Sequence, residues 1–275
     1  MSPTLESVVV AGRFDDIRSK QIRFLEEAAK LGRLTVLLWS DESIRQRTGH
    51  SPKFPLAERQ YFLERIRYVS QVKVAEAPAD PDTLPSVAGI GAQAWVVHKA
   101  EGSAAKQAFC MTHGLKYRVL CDEDLSGFPV QPPTPSSPAR PKVVVTGCYD
   151  WFHTGHVRFC EEVSAYGDLY VVVGNDRAIG QLKGAGHPLI GEAERRYVVG
   201  AVRFVTQALI SSGDGWLDAD REIRALRPDV YAVNDDGDKG GKREYCAKLG
   251  IQYLVLKRTP APGLPPRRST DLRGF

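Results

Sequence analysis

The chain carries the same stretch twice. Gly12-Arg13-Phe14-Asp15 returns as Gly147-Cys148-Tyr149-Asp150 at an offset of 135. Leu31-Gly32 through Asp41 returns as Tyr166-Gly167 through Asp176 at the same offset. After a one-residue slip, Ala57-Glu58-Arg59 matches Ala193-Glu194-Arg195, and the new offset holds for Lys106, Cys110, Gly114 and Tyr117 against Lys242, Cys246, Gly250 and Tyr253. A spacing kept over most of a domain marks a duplication. In the second copy, strands at 142–146, 169–174, 208–211, 230–234 and 252–256 alternate with helices at 156–165, 192–201, 219–226 and 242–249. Apolar strands alternating with helices imply an α/β fold, a parallel sheet with helices on both faces, and here two such domains in tandem. Between the copies, 129–141 holds six prolines in thirteen residues and reads as an extended, semi-rigid linker. The predicted domains are therefore 1–128 and 142–275.

Composition narrows the class. Hydrophobic residues make up 43% and charged residues 25%, as in a soluble globular protein. No apolar run is long enough to span a bilayer, and the start lacks a basic-then-apolar signal pattern. Five cysteines at 110, 121, 148, 160 and 246 form no Cys-x-x-Cys pair. Reduced thiols in a cytoplasmic compartment are expected, with no zinc site. A net charge of +4 is too mild to imply nucleic acid. Its placement matters more: Lys257, Arg258, Arg267, Arg268 and Arg273 against Asp271 give the tail the whole excess.

The second copy holds the chemistry. Val143-Val144-Val145 is the mark of a buried strand, which breaks at Gly147. Val157, Cys160 and Val163 then recur at helical spacing. His153 and His156 fall where loop meets helix, and a helix start suits an anion. Gly155 between them leaves the backbone open to a phosphate. In the first copy Arg18, Lys20 and Gln21 stand at the places of His153, Gly155 and His156, so that copy is expected to be non-catalytic.

Gly147-Cys148-Tyr149-Asp150-Trp151-Phe152-His153-Thr154-Gly155-His156 resembles the signature of the His-x-Gly-His nucleotidyltransferases. The tandem arrangement is similar to that of the cytidylyltransferases acting on ethanolamine phosphate, and these enzymes have a Rossmann-like fold. The resemblance implies transfer from CTP, with Mg²⁺, to a phosphorylated small alcohol such as ethanolamine phosphate or glycerol phosphate, as in phospholipid biosynthesis. It implies catalytic roles for His153, His156 and Lys183, the last in a loop before Gly184. Gly147, Cys148, Tyr149, Asp150 and Gly155 would contact the nucleotide. So would Arg258-Thr259 with Ser269-Thr270 in the tail, where Ser269 or Thr270 would start a last helix, and Asp235 and Asp236 after the fourth strand, which as residues equally suit turn formation or a hold on Mg²⁺. Arg195 is either a phosphate ligand or a structural ion-pair partner. Trp216 either lines the acceptor pocket or packs. No metal ligand set is assigned to the protein itself. Adenylyl transfer from ATP and nucleotide binding without turnover stay open as alternatives. The two copies form an internal pseudo-dimer, with a homo-oligomer left open. A resemblance to class I aminoacyl-tRNA synthetases ends at the His-x-Gly-His motif.

Overall fold

The computed structural model describes residues 6–85, 90–135 and 137–272. It forms two compact units, Met1–Gly127 and Phe128–Phe275. The first contains β1 (Ser7–Gly12), α1 (Ser19–Ala29), β2 (Arg33–Trp39), α2 (Asp41–Thr48) and α3 (Leu56–Glu64). It continues with β3 (Gln71–Ala75), β4 (Ala94–His98), α4 (Ala104–Thr112) and β5 (Lys116–Leu120). The second contains β6 (Lys142–Gly147), α5 (Thr154–Ser164), β7 (Asp168–Val173), α6 (Asp176–Lys183) and α7 (Glu192–Gly200). After these come β8 (Val205–Ile210), α8 (Asp220–Leu226), β9 (Val230–Asn234), α9 (Lys242–Leu249) and β10 (Gln252–Leu256).

Each unit is built on a five-stranded sheet, in the order β3-β2-β1-β4-β5 and β10-β9-β6-β7-β8, with every pairing parallel. Ranked along the chain, both sheets run third, second, first, fourth, fifth. The order reverses between the first and fourth strands. In such doubly wound, Rossmann-like sheets this reversal opens a crevice at the carboxyl ends of the strands. In the second unit the crevice lies beyond β6 and β9, so Gly147 and Asn234 end at its edge.

The predicted apolar patterns are the observed core. Val143, Val144 and Val145 are at most 1% exposed, and Val157, Cys160 and Val163 of α5 are fully buried. β-Branched residues buried on both faces suit a central parallel strand.

Two elements differ from the sequence reading. The stretch 176–183, read as part of a loop, is helix α6. Its periodicity is hidden by brevity and by Gly180. What starts the helix is Asn175, whose Oδ1 accepts from the Ala178 N–H at 2.8 Å. The proline-rich stretch has no helix or strand among its described residues, yet it is not a free spacer. The Thr134 N–H donates to the Thr206 carbonyl at 2.9 Å, and Gln131 Nε2 donates to the Tyr197 carbonyl at 3.0 Å. The second unit therefore begins at Phe128, ahead of the predicted Lys142. Among the described residues, no helix is long and apolar enough to cross a membrane.

Asn175 is buried, and its amide also donates to the Ser211 and Gly213 carbonyls at 3.2 and 2.8 Å, tying the end of β7 to the end of β8. Asn175→Ala removes a cap and leaves carbonyls without their donor. The expected cost is about 2–4 kcal/mol by urea denaturation. Asn175→Ser, which keeps a capping oxygen, should cost less.

Candidate active site

The loop between β6 and α5 ends at His153, the N-cap of α5. His153 Nδ1 accepts from the Gly155 N–H at 3.0 Å, and His156 Nδ1 accepts from the His153 N–H at 3.3 Å. The two histidines thus act as a capping box, with imidazole nitrogens in place of the usual Ser or Thr and Glu. A ring nitrogen that accepts carries no proton, so in each neutral ring the proton sits on Nε2. His153 Nε2 is buried and has no hydrogen-bond partner among the described residues.

The rings lie 4.0 Å apart between centroids, and Phe152 stacks on His156 at 5.3 Å. Tyr149 meets His156 edge-on at 5.4 Å. Burial holds the His153 imidazole down at about 3, and Arg258 and Arg267 push it the same way. His156 is held well below its ordinary value by burial first, then by His153, Arg258 and Lys183. Both rings are therefore neutral Nε2–H donors at neutral pH, in a place where positive charge has been gathered.

Gly155 has a tighter reason than open access. A Cβ there would fall 2.8 Å from His153 Cε1 and 3.5 Å from the Arg267 carbonyl oxygen. The glycine lets the imidazole fold onto the helix start.

A cavity of about 460 Å³ opens beside Thr154 and Gly155. Asn234, Asp235 and Asp236 line it from the end of β9, and Arg258 and Thr259 from the end of β10. Arg267 and Arg268 line it from the tail. Arg258 Nη1 pairs with the Asp236 carboxylate, while Nη2 donates to the Arg267 carbonyl at 3.0 Å. The tail therefore belongs to the same cavity as the signature loop. Ser269 starts a 3₁₀ turn, Ser269–Leu272, and its hydroxyl donates to the Trp151 carbonyl at 3.3 Å. That bond holds the tail against the loop before α5. The side chain of Thr270 lies outside the described residues. Lys183 is the exposed last residue of α6, and its charge reaches His156.

Several predicted ligands prove to be scaffold. Asp150 is buried, and its carboxylate accepts from the Leu189 and Ile190 N–H groups, both at 2.9 Å. It clamps the loop before α7. Arg195, fully buried, donates to the Ile190 and Cys148 carbonyls and to Asp176 Oδ1, at 2.7, 2.6 and 2.6 Å. Buried and bonded to three oxygens of its own unit, it positions loops and offers no surface to a substrate. Cys148 contributes its carbonyl to that bond. Tyr149 adopts φ of 56° and folds its ring over Gly147, where a Cβ would lie 2.9 Å from the ring. Trp216 is 51% exposed and lines a separate small cleft with Lys242 and Tyr245, not the cavity beside Thr154 and Gly155. Sequence reasoning missed Phe159 and Glu162, which also line the cavity. Their positions follow Gly155 at i+4 and i+7, so one helical face carried the signal.

The first unit separates scaffold from chemistry. Asp15 still clamps its loop, accepting from the Lys53 and Phe54 N–H groups at 2.8 and 3.0 Å. Arg59 still binds the Phe54, Arg13 and Trp39 carbonyls and Asp41. Gln21 keeps the reciprocal cap, accepting from the Arg18 N–H at 3.0 Å. Both imidazoles are gone. Lys20, at the place of Gly155, pairs at 2.6 Å with Asp122, which stands at the place of Arg258. His98, at the place of Asn234, meets the same carboxylate at 3.2 Å.

A helix start suited to a phosphate, two imidazole N–H groups and a cationic rim come together at the switch point of a Rossmann-like sheet. Residues 144–268 match the family model described as cytidylyltransferase-like. A FAD synthase from Ferroglobus placidus is 36% identical over 119 residues, covering 42% of this chain and 74% of that protein. Another, from Methanocella paludicola, is 31% identical over 135 residues, covering 48% of this chain and 93% of that protein. A bifunctional protein HldE from Geotalea uraniireducens is 39% identical over 95 residues, covering 34% of this chain and 19% of that protein. The chain thus spans about a fifth of the length of that relative. It belongs to the cytidylyltransferase-like family of nucleotidyltransferases.

The histidines also set an acid limit. Below its ordinary 6.5, an unfolded imidazole takes a proton that folded His153 refuses until about 3. The unfolded state binds more protons across that window, so stability falls as pH drops through it and is unaffected above it. The slope is at most about 1.4 kcal/mol per pH unit for each such ring. Urea denaturation at steps from pH 7 to pH 4 should show a shallower acid limb in His153→Gln than in the native chain.

Proposed function

We propose that the second unit transfers a nucleotidyl group from a nucleoside triphosphate to a phosphorylated small alcohol, releasing pyrophosphate. The observation that carries this reading is the pair of neutral imidazoles, each with its proton on Nε2, at a helix start ringed by Arg258, Arg267 and Lys183. An oxygen of the acceptor phosphate attacks the α-phosphorus and forms the new P–O bond. The bond from the α-phosphorus to the α,β-bridging oxygen breaks, and pyrophosphate leaves with its electron pair. No covalent intermediate with the protein is needed. The Nε2–H groups donate to oxygens whose charge grows in the transition state, and they need no reorganisation to do so. Arg258 and Lys183 offset the charge of the leaving pyrophosphate. Mg²⁺ would accompany the triphosphate as part of the substrate and would offset its charge.

Two nucleotides are supported by different observations. The signature from Gly147 to His156 favours CTP, with ethanolamine phosphate or glycerol phosphate as acceptor. The relatives named FAD synthases favour ATP. The first unit, with Lys20 and Asp122 paired in its crevice, acts as a non-catalytic partner.

Pyrophosphate release, measured with ATP or CTP against a panel of phosphoalcohols and sugar phosphates, tests the reaction. His153→Ala and His156→Ala should each lower kcat by a factor of about 10² or more while circular dichroism stays native. Release at the native rate from both variants, or none from the native chain with any acceptor, would remove the reading. Arg18→Ala with Gln21→Ala should leave the rate unchanged.

A further inference from the structure

The cavity that gathers Arg258, Arg267 and Arg268 is also lined by two carboxylates, Asp235 and Asp236. Carboxylates beside a polyanion repel it, so their presence here needs a reason. The two differ in what they hold. Asp235 turns back on its own loop, where its Oδ1 accepts from the Asp236 N–H at 2.9 Å. Asp236 reaches to the end of β10 and takes Arg258 Nη1. Arg258 Nη2 donates to the Arg267 carbonyl at 3.0 Å. Both terminal nitrogens of this guanidinium have acceptors before any ligand enters.

The two bonds are not alike. From Arg258 to Arg267 the chain runs as a strap, in which Pro260, Ala261, Leu264, Pro265 and Pro266 form one wall of the cavity. Its tip is a turn closed by the Leu264 N–H on the Ala261 carbonyl at 3.0 Å. Four prolines in seven residues keep the strap stiff, so the Nη2 bond at its base holds the guanidinium in place. The partner of Nη1 is a side chain, 52% exposed, on the 3₁₀ turn Asp235–Gly237. It can rotate into solvent without moving the backbone. Asp238 anchors that turn from behind, accepting from the Tyr253 hydroxyl at 3.0 Å and pairing with Arg243 at 2.5 Å. The turn therefore stays when Asp236 lets go. In the first unit Ala100 stands at the place of Asp236, and Asp122 at that of Arg258. The carboxylate is present where the arginine is present and absent where the arginine is absent.

We propose, resting on the nucleotidyltransferase reading, that Asp236 is a competing anion built into the site. It holds Arg258 Nη1 while the site is empty, yields it to a phosphate of the triphosphate, and takes it back as pyrophosphate leaves. In the empty site the pair offsets the crowding of cations. In the filled site the carboxylate turns to solvent, away from the phosphates. Every polyphosphate that takes Arg258 must displace the same partner, so the entering triphosphate and the leaving pyrophosphate are both held less tightly. Weaker holding of this kind shows mainly as faster departure, which clears the product.

The test is calorimetric titration of tripolyphosphate and of pyrophosphate into the full chain, without and with Mg²⁺. The native chain is compared with Asp236→Asn, Asp236→Glu and Asp235→Asn. Asp236→Asn should bind both anions about fivefold more tightly, the worth of a partly exposed ion pair. Asp236→Glu keeps a carboxylate for Arg258 and should stay within about twofold of the native chain. Asp235→Asn removes the same charge from the same cavity without touching Arg258, and should also stay within about twofold. In turnover, KM for the nucleoside triphosphate should fall in Asp236→Asn while kcat does not rise, whereas a damaged fold would raise KM. An Asp236→Asn chain that binds like the native one, or an Asp235→Asn chain that tightens as much, overturns the inference and leaves the transfer reaction standing. Weaker binding by Asp236→Asn once Mg²⁺ is added does the same and makes the carboxylate a metal ligand. Binding of neither tripolyphosphate nor ATP nor CTP by the native chain overturns both.

Discussion

The reciprocal cap of α5 is the interaction on which the site depends. A helix start has N–H groups that need acceptors, and Ser, Thr, Asp and Asn usually supply them. Here His153 and His156 do so through Nδ1. The cap fixes the tautomer of both rings, because a nitrogen that accepts from the backbone leaves the proton on the other nitrogen. A structural requirement of the helix thereby orients two proton donors. Gly155 lets the first ring sit against the helix, and the Phe152 ring backs the second.

The duplication shows which residues serve that cap and which use it. Asp150 and Arg195 have equivalents in Asp15 and Arg59, with the same loops held by the same bonds. A clamp that survives where both imidazoles are absent belongs to the fold. Gln21 keeps the reciprocal half of the cap, so α1 still starts in its place. Gly155 and Arg258 are replaced by the oppositely charged pair Lys20 and Asp122, which satisfies itself across the crevice. A position that carries an arginine in one copy and an aspartate in the other cannot serve the same anion in both.

Electrostatics at the second site pull in two directions. Arg258, Arg267 and Lys183 make the imidazoles harder to protonate, and burial does more. The same cations are what a triphosphate requires. Neutral imidazoles beside fixed cations avoid like-charge repulsion and still offer hydrogen bonds. Arg258 also closes the base of the strap, so one side chain joins the electrostatics of the site to the shape of its wall.

The parallel sheets, the duplication and the histidine signature were legible because each leaves a periodic or contiguous trace in the sequence. Buried β-branched runs, helical spacing from Val157 to Val163 and a fixed offset between copies are local properties. Helix α6 was not legible, being eight residues long with a glycine inside and held by the remote carbonyls of Ser211 and Gly213. The spacing of His153, Gly155 and His156 by itself determined a helix start with paired imidazoles. Only the tertiary structure decided that Asp150 and Arg195 face loops and not ligand, that Trp216 lies in another cleft, and that the tail closes the cavity. A carboxylate or a guanidinium has the same letter whether it meets a phosphate or a backbone carbonyl, and which one it meets is settled by parts of the chain far away in sequence.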